Sequence, residues 1–322
     1  MRRLLAVLLV AAPAQAYVRT VNNSGLCIWW GPRGHSFVID AQGTPDVPGP
    51  SAFVAIGNSF ATWGGVGCSN LSFADEGISP NPADRLVGYF PGAANRNLVL
   101  FRTANCQSAA PPGDACRNVP GNCANKYDCW DKGENVIAIT TTTTNTFTGE
   151  ILDSDIEIND APRADGSRNL RFTTADGPPC VAPSQAGCVD IDVQNTVTHE
   201  AGHTLGLAHT PVTAATMYAS APSGETSKRT LHQDDIDAIC AIYPRGAATV
   251  TCLEDPSALT RGPSGCGCAQ SQTGAGGFLA LVLLLSRAGS RRLRRTPPAR
   301  HGAARPEGAS LSARGARPTR PG

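Results

Sequence analysis

The sequence predicts an α+β fold, and three observations lead to this prediction. Runs rich in apolar and β-branched residues come mostly before two segments in which apolar residues recur at helical spacing. The chain has 322 residues, enough for one large domain or two small ones with a buried core. It has no run of roughly 18 apolar residues, which argues against a polytopic membrane protein. We therefore expect an α+β domain built on a mostly open sheet.

The first half of the chain predicts four strands and one helix. Residues 35–40 end a stretch of apolar and β-branched residues, which is typical of a strand. Apolar side chains at helical spacing predict an amphipathic helix over 51–63, and a second strand follows over 68–73. Two further runs, over 135–148 and 149–159, predict a pair of neighbouring strands.

A stretch rich in Pro, Gly, Asn and Cys separates these elements. It runs from about residue 75 to residue 134, and its one apolar patch lies at 98–101. We predict that residues 75–134 form a Cys-rich insertion held by disulfides.

The later part of the chain predicts two helices. Residues 192–207 form the first, which ends at Gly206 because glycine readily adopts the left-handed conformation that lets a chain leave a helix. Residues 234–243 form the second, with apolar side chains at helical spacing and Pro244 as its stop.

The N-terminus has the three parts of a secretory signal peptide. Two arginines precede an apolar run over 4–12, and Ala14-Gln15-Ala16 follows as a cleavage site. We expect cleavage after Ala16, so that residues 1–16 are removed; the alternative is a buried N-terminal helix. Twelve cysteines agree with export, since reducing cytosol rarely tolerates so many. The predicted location is extracellular or on the outer cell surface.

Ten of the cysteines lie in the body of the chain, which allows five disulfides whose connectivity the sequence does not assign. Cys180 and Cys188 bracket a short loop and are the predicted pair. A zinc knuckle is the alternative for a second group of cysteines, but their spacing lacks a C-x₂-C step, so disulfides are favoured. This group is Cys106, Cys116, Cys123 and Cys129.

One eleven-residue segment, residues 199–209, contains the candidate metal ligands and the candidate catalytic residue. His199 and His203 have the H-E-x-x-H spacing, which puts both imidazoles one turn apart on one helix face. Gly206 then lets the chain turn back, so that His209 can supply a third ligand. Three neutral imidazoles leave an open position on one catalytic Zn²⁺, and Glu200 can act as the general base toward a zinc-bound water. A purely structural zinc site is the alternative, but it would not need Glu200.

This segment resembles the signature of the metzincin zinc peptidases, H-E-x-x-H-x-x-G-x-x-H followed by a Met-turn. Met217 lies at the distance expected for the Met-turn, and the adjacent Tyr218 makes the matrixin family the nearest resemblance. Thr210 replaces the serine that matrixins carry after the third histidine. Residues 231–243 also resemble the matrixin C-terminal helix, and residues 149–159 resemble the cleft-bordering strand of bacterial matrixin-like proteins.

The resemblance covers most of residues 25–245 and implies a zincin-like catalytic domain over 17–245. Such a domain has a twisted mixed sheet, an active-site helix and a C-terminal helix. A second, structural zinc site of the kind found in animal matrixins lacks histidines here. Calcium is a further candidate ligand, although the acids in question are equally well explained as solvated strand and loop residues. These acids are Asp153, Asp155, Glu157, Asp160, Asp165, Asp190 and Asp192.

The C-terminal end has its own pattern. After a linker over 246–265 come Cys266 and Cys268, a short apolar run and an arginine cluster. The apolar run would span only about 16 Å as a helix, half of a bilayer core. The order of these parts resembles the MYXO-CTERM sorting tail of myxobacterial surface proteins, here over 266–295, and implies processing near either cysteine and anchoring at the cell surface. A basic tail over 296–322 has the composition of a disordered segment.

The formal net charge of +1 conceals an uneven distribution. Residues 17–286 contain 15 basic and 25 acidic groups, whereas residues 287–322 contain ten arginines and one glutamate. The exported body is therefore acidic, which makes nucleic acid an unfavourable partner.

The predicted function is that of a secreted or surface-anchored zinc-dependent metalloendopeptidase acting as a monomer on protein or peptide substrates. The alternative is a catalytically inactive surface adhesion or binding protein with a metzincin fold. A metzincin of another family, pappalysin-like or snapalysin-like, would differ in specificity and not in reaction type.

Overall fold

A computed structural model describes residues 16–81, 85–119, 122–168, 170–182, 185–251 and 267–269 of the chain. Parts of four predicted segments lie outside the described residues. They are residues 1–15 of the signal peptide predicted over 1–16, most of the linker over 246–265, all of the sorting segment over 266–295 except 267–269, and the whole basic tail over 296–322. Among the helices of the described part, none combines the length and the apolar character needed to cross a membrane.

The described chain contains ten strands and five α-helices. The strands are β1 (Val18–Arg19), β2 (Gly34–Asp40), β3 (Ser72–Ser79), β4 (Leu98–Arg102), β5 (Val136–Thr144), β6 (Ile151–Asn159), β7 (Phe172–Thr173), β8 (Ile191–Asp192), β9 (Leu207–Ala208) and β10 (Gly267–Ala269). The helices are α1 (Ser51–Gly64), α2 (Cys106–Ala109), α3 (Ala124–Tyr127), α4 (Val193–Thr204) and α5 (Gln233–Ile242).

Six strands form one mixed sheet in the order β10-β5-β6-β4-β2-β3. The four strands from β6 to β3 run parallel to one another, whereas β5 is antiparallel to β6 and β10 is antiparallel to β5. Two small sheets, β1 with β9 and β7 with β8, complete the pairing. The predicted α+β class with a mixed sheet is confirmed.

One apolar cluster joins the sheet to the long helices. Phe60 and Trp63 on α1 are buried against Val197 and Ala201 on α4, and the inward side chains of β2, β4 and β6 belong to the same cluster. The indole of Trp63 also donates a hydrogen bond of 2.8 Å to the carbonyl oxygen of Thr198. This packing holds α4, which carries the H-E-x-x-H segment, rigidly against the sheet.

The predicted insertion over 75–134 needs correction, because it contains the last part of one strand of the main sheet and the whole of another. β3 extends to Ser79, and β4 lies between β2 and β6. All five residues of β4 are buried, and the first four form a continuous apolar run instead of the alternation that identifies a half-exposed strand. The Cys-rich stretch that lies outside the sheet is shorter and follows β4.

Four disulfides are present in the described residues, and they confirm the preference for disulfides over a zinc knuckle. The predicted pair Cys180–Cys188 is among them. Cys27 is also disulfide-bonded. The four are Cys68–Cys240, Cys106–Cys129, Cys116–Cys123 and Cys180–Cys188.

The strand predicted over 68–73 begins only at Ser72. The preceding residues are tied instead to the end of α5, where Cys68 is bonded to Cys240 and the Ser69 hydroxyl donates to the carbonyl oxygen of Tyr243 at 2.7 Å. These tertiary contacts prevent residues 68–71 from pairing along β2.

Candidate metal centre

The helix α4 places the first two histidines. Asp192 caps its N-terminus by accepting a hydrogen bond of 2.7 Å from the backbone N–H of Asn195. His199 and His203 follow one turn apart on the same face, and both are fully buried. A capped and buried helix fixes the spacing of the two imidazoles before any ligand binds.

A glycine turn places the third histidine. Gly206 has φ +86°, and a Cβ at this position would lie 2.6 Å from the carbonyl oxygen of Ile28. Both the left-handed conformation and the close backbone approach therefore require glycine. The chain reverses here and continues through β9 to His209, which is half-buried.

The three imidazoles converge on one point. Each of the three pairs of Nε2 atoms is separated by 3.2 Å. The Nδ1 atoms of His199 and His203 lie 2.6 Å and 2.7 Å from the carbonyl oxygens of Thr216 and Leu207. Because a carbonyl only accepts, each Nδ1 must carry the proton, so both Nε2 lone pairs face the common point.

Burial keeps these histidines neutral. It lowers the pKa of His199 and His203, and it lowers the pKa of His209 to about 4. The charge of the buried Lys228 contributes to the lowering at all three. Neutral imidazole is the form that binds metal, so the site is prepared for a cation near pH 7.

The donor set fits Zn²⁺. Three nitrogens bound at 2.0–2.1 Å with tetrahedral angles would lie about 3.4 Å apart, close to the observed separation. Among the described residues, these histidines are the only group of three or more His, Cys, Asp or Glu side chains whose ligand atoms cluster. The described part of the chain thus offers three candidate ligands, and three protein ligands are the number found in catalytic zinc sites, where a fourth position is left for another molecule.

Glu200 lies beside the triad and is held by a strand that the sequence did not connect to it. The hydroxyl of Thr140, on β5, lies 2.7 Å from Oε2 of Glu200 and 3.1 Å from its carbonyl oxygen. Thr140 sits in a run of five threonines, and nothing in that run distinguishes the one that meets the carboxylate.

Met217 lies against α4, and the resemblance implies that it forms an apolar floor there. It is buried, and a Cβ added to Gly202 of α4 would lie 2.2 Å from its Sδ atom. The turn is fixed by a second residue that the sequence did not predict, the buried Asp235 of α5. Its carboxylate accepts hydrogen bonds from the backbone N–H groups of Thr216, Met217 and His232 at 2.8, 3.1 and 2.9 Å.

Lys228 is a third residue that the sequence did not predict. Its side chain is buried, and Nζ donates to the carbonyl oxygens of Tyr218 and Ser220 at 2.6 and 2.8 Å. These bonds hold the segment that follows the Met-turn close to the histidines.

The acids considered for calcium do not gather into one site in the described part of the chain. Glu157 pairs with Arg102, Asp160 pairs with Arg168, and Asp192 pairs with Arg229. Asp165 and Asp190 accept hydrogen bonds from nearby serines. Asp153 and Asp155 share a hydrogen bond on β6, and burial raises the pKa of Asp155 to about 8.

The strand beside the site is β5, which corrects the expectation for residues 149–159. β6, which those residues form, pairs with β5 on one side and with β4 on the other. It therefore lies inside the sheet and is not an edge strand. The expectation was wrong because residues 135–148 and 149–159 both have the pattern of a strand. The order of the strands in the sheet decides which of the two lies nearer its edge.

Taken together, a mixed sheet, a buried helix with two facing histidines, a third histidine after a glycine turn and a methionine beneath them define a zincin-like metalloprotease fold. Comparison with known proteins narrows this class. A family model described as matrixin matches residues 124–244. Neutrophil collagenase of Homo sapiens is 56% identical over 45 residues, which are 14% of this chain and 10% of the collagenase.

The chain thus spans about a tenth of the length of the curated relative that it matches. Of the resemblance expected over residues 25–245, the family model supports 124–244, which includes β5, β6, the histidines and α5. The fold is that of a matrixin-like α+β domain.

Proposed function

We propose that this protein is an exported zinc-dependent endopeptidase that hydrolyses peptide bonds in protein or peptide substrates. The observation that carries the proposal is the convergence of three imidazole Nε2 atoms, 3.2 Å apart, next to the buried carboxylate of Glu200. His199, His203 and His209 would hold the ion. Bound there, Zn²⁺ supplies Lewis-acid chemistry, polarising the scissile carbonyl and lowering the pKa of water.

Glu200 is the proton carrier in this proposal. A carboxylate oxygen of Glu200 accepts the proton of the attacking water and then delivers it to the amine that leaves. The Thr140 hydroxyl, 2.7 Å from Oε2, orients the carboxylate by holding one of its oxygens. Met217 takes no part in proton transfer and supports the histidines from below through apolar contact.

The sheet supplies a means of aligning the substrate. An extended peptide would pair with the outer edge of β5, either in place of the short strand β10 or beyond it from Thr140 onward. Thr140 contacts Glu200. Such pairing would bring the peptide backbone alongside the proton carrier without demanding particular side chains.

Export belongs to the same proposal. The disulfides of the described chain favour an oxidising compartment, which agrees with a signal peptide over residues 1–16. We further propose that the chain acts as a monomer and is retained at the cell surface through residues 266–295, in which the order of cysteines, apolar run and arginine cluster resembles a sorting tail.

The test compares Glu200→Gln with Glu76→Gln, which replaces a partly exposed glutamate of β3. Casein cleavage and zinc content are measured for the parent and both variants, before and after removal of zinc by a chelator. We expect cleavage by the parent and by Glu76→Gln, loss of cleavage on chelation, and recovery with Zn²⁺. Glu200→Gln should keep its zinc and lose at least 10²-fold in rate.

Cleavage by Glu200→Gln at the parental rate would refute the role of Glu200. A parent chain that binds one zinc per molecule and cuts no substrate would instead favour the binding-protein alternative.

A further inference from the structure

The outer edge of β5 is where the catalytic domain can accept another strand. β6 covers one side of β5, and the four strands from β6 to β3 complete the sheet in that direction. The other side of β5 is paired only with β10 among the described residues, so without β10 it would present unpaired backbone groups.

This edge adjoins the candidate catalytic residue. Thr140 follows Ile139 on β5, and its hydroxyl meets Oε2 of Glu200 at 2.7 Å. A strand that pairs with residues 136–139 therefore ends one residue before the threonine that contacts Glu200, on the edge along which the proposed substrate would pair.

The chain itself covers this edge. β10, residues Gly267–Ala269, pairs antiparallel with β5, placing Gly267 opposite Ile139, Cys268 opposite Ala138 and Ala269 opposite Val136. The pairing stops one residue before Thr140 and leaves the rest of β5, as far as Thr144, outside its register.

We propose that residues 267–269 are an internal cap that pairs with the edge of β5 and competes with peptide substrates for it. This regulatory role rests on the proposed peptidase function. Removal of the cap, by cleavage of the chain before residue 267 or by displacement, opens the edge.

The pairing has the properties of a reversible cap. It involves only three residues, contains a glycine, and has a register irregularity between Cys268 and Ala269, so the pair is weak by itself. The segment is nevertheless tethered: 15 residues separate Val250-Thr251 of the body from Gly267. A short tether gives an effective concentration of the order of millimolar, which favours pairing over loss to solvent.

The cap predicts a specific kinetic effect. A segment that is paired nine-tenths of the time leaves one tenth of the molecules open and raises the apparent KM about tenfold, with kcat unchanged. A structural strand that forms no part of the substrate site would change neither constant.

The test replaces all three residues by proline, as G267P/C268P/A269P, which removes every backbone N–H that this segment can donate. The matched control, A258P/L259P/T260P, places three prolines elsewhere in the same C-terminal region of the full-length chain. Hydrogen exchange is measured across Val136–Ile139 in both variants and in the parent. We expect at least tenfold faster exchange in this stretch for G267P/C268P/A269P and no change for the control.

Competition is measured without relying on catalysis. The probe is a fluorescein-labelled peptide of residues 264–272 with both cysteines replaced, Cys266→Ser and Cys268→Ser, so that thiol binding to zinc does not contribute. Its binding is followed by anisotropy in each proline variant combined with Glu200→Gln. We expect it to bind at least fivefold more tightly to G267P/C268P/A269P than to the control, and we expect the KM for a peptide substrate to fall by a similar factor where Glu200 is intact.

Unchanged exchange across Val136–Ile139 would overturn the cap, whatever the activity. Faster exchange with equal probe binding in the two variants would overturn the competition. If no variant cleaves any substrate, the peptidase proposal fails, and the exchange and binding results still decide whether residues 267–269 cover β5.

Discussion

Asp235 holds the turn that carries Met217, and replacing it by asparagine tests how the floor of the site is supported. Its two carboxylate oxygens accept three backbone N–H bonds, from Thr216 and His232 on Oδ2 and from Met217 on Oδ1. Asparagine keeps the shape and one acceptor oxygen. Its NH₂ group would then face a backbone N–H in a buried position, because the three donors approach both oxygens.

The magnitude follows from these bonds. A hydrogen bond to a charged group contributes about 1.5–3 kcal/mol, and a buried donor left unpaired costs about 1–3 kcal/mol. Burial raises the pKa of Asp235, so the carboxylate itself carries a desolvation cost that asparagine avoids. We therefore expect Asp235→Asn to lower the free energy of unfolding by about 2–3 kcal/mol.

The assay is urea unfolding of the disulfide-intact protein, followed by tryptophan fluorescence. Asp237→Asn is the control on the same helix, since Asp237 accepts only a side-chain hydrogen bond from Gln233. The Thr216 carbonyl that accepts from Nδ1 of His199 belongs to the same turn, so zinc affinity should fall about 10–100-fold as well. If Asp235→Asn unfolds within 0.5 kcal/mol (about the scatter of a surface substitution) of Asp237→Asn, the support assigned to this carboxylate is refuted.

Two further predictions concern His35 and Gly206. Burial lowers the pKa of His35 to about 4, below its unfolded value, so the folded state binds fewer protons between about pH 6.5 and pH 4 and loses stability as the pH falls through this window. In urea unfolding, the parent protein should be less stable at pH 4 than at pH 7, and His35→Phe should make this difference in unfolding free energy smaller by about 3 kcal/mol. A difference as large as that of the parent would contradict the proposed effect of the buried histidine. Gly206→Ala should cost about 2 kcal/mol or more and weaken zinc binding, because φ is +86° and the new Cβ would lie 2.6 Å from the Ile28 carbonyl oxygen. Gly166 also has positive φ, but a Cβ there would have no atom within 4 Å, so Gly166→Ala should lose only the stability that the unfavourable backbone conformation costs, as measured by urea unfolding. Equal losses of unfolding free energy in the two variants would show that the close approach at Gly206 has no effect.

The convergence of the candidate metal ligands could be predicted from the sequence because their geometry is local. His199 and His203 are one helical turn apart. A glycine such as Gly206, placed just after the helix, predicts a reversal of the chain that brings His209 close to them. Each of these relations spans a few residues, so the residue types and their spacing suffice.

The supporting residues could not be predicted in the same way. Thr140 meets Glu200 across 60 residues of sequence, and Asp235 meets Thr216 and Met217 across 19 and 18. Threonine in a strand and aspartate in the first turn of a helix are ordinary residues at those places. The packing of β5 and α5 around α4 brings Thr140 to Glu200 and Asp235 to the turn that contains Met217.

The strands show the same division. Alternation and β-branched runs identified β2, β5 and β6, whereas β4 was assigned to an insertion because burial on both faces removes the alternation. By itself, the sequence predicted the α+β class, which the structure confirms, together with the candidate zinc ligands, the candidate general base and the glycine turn, since these depend on short-range periodicity and on side-chain chemistry. Tertiary structure alone decided that β5 and not β6 lies beside the site, and that residues 267–269 cover its edge. Strand order and edge pairing arise from hydrogen bonds between segments distant in sequence, so the local residue pattern of a strand does not indicate its position in the sheet.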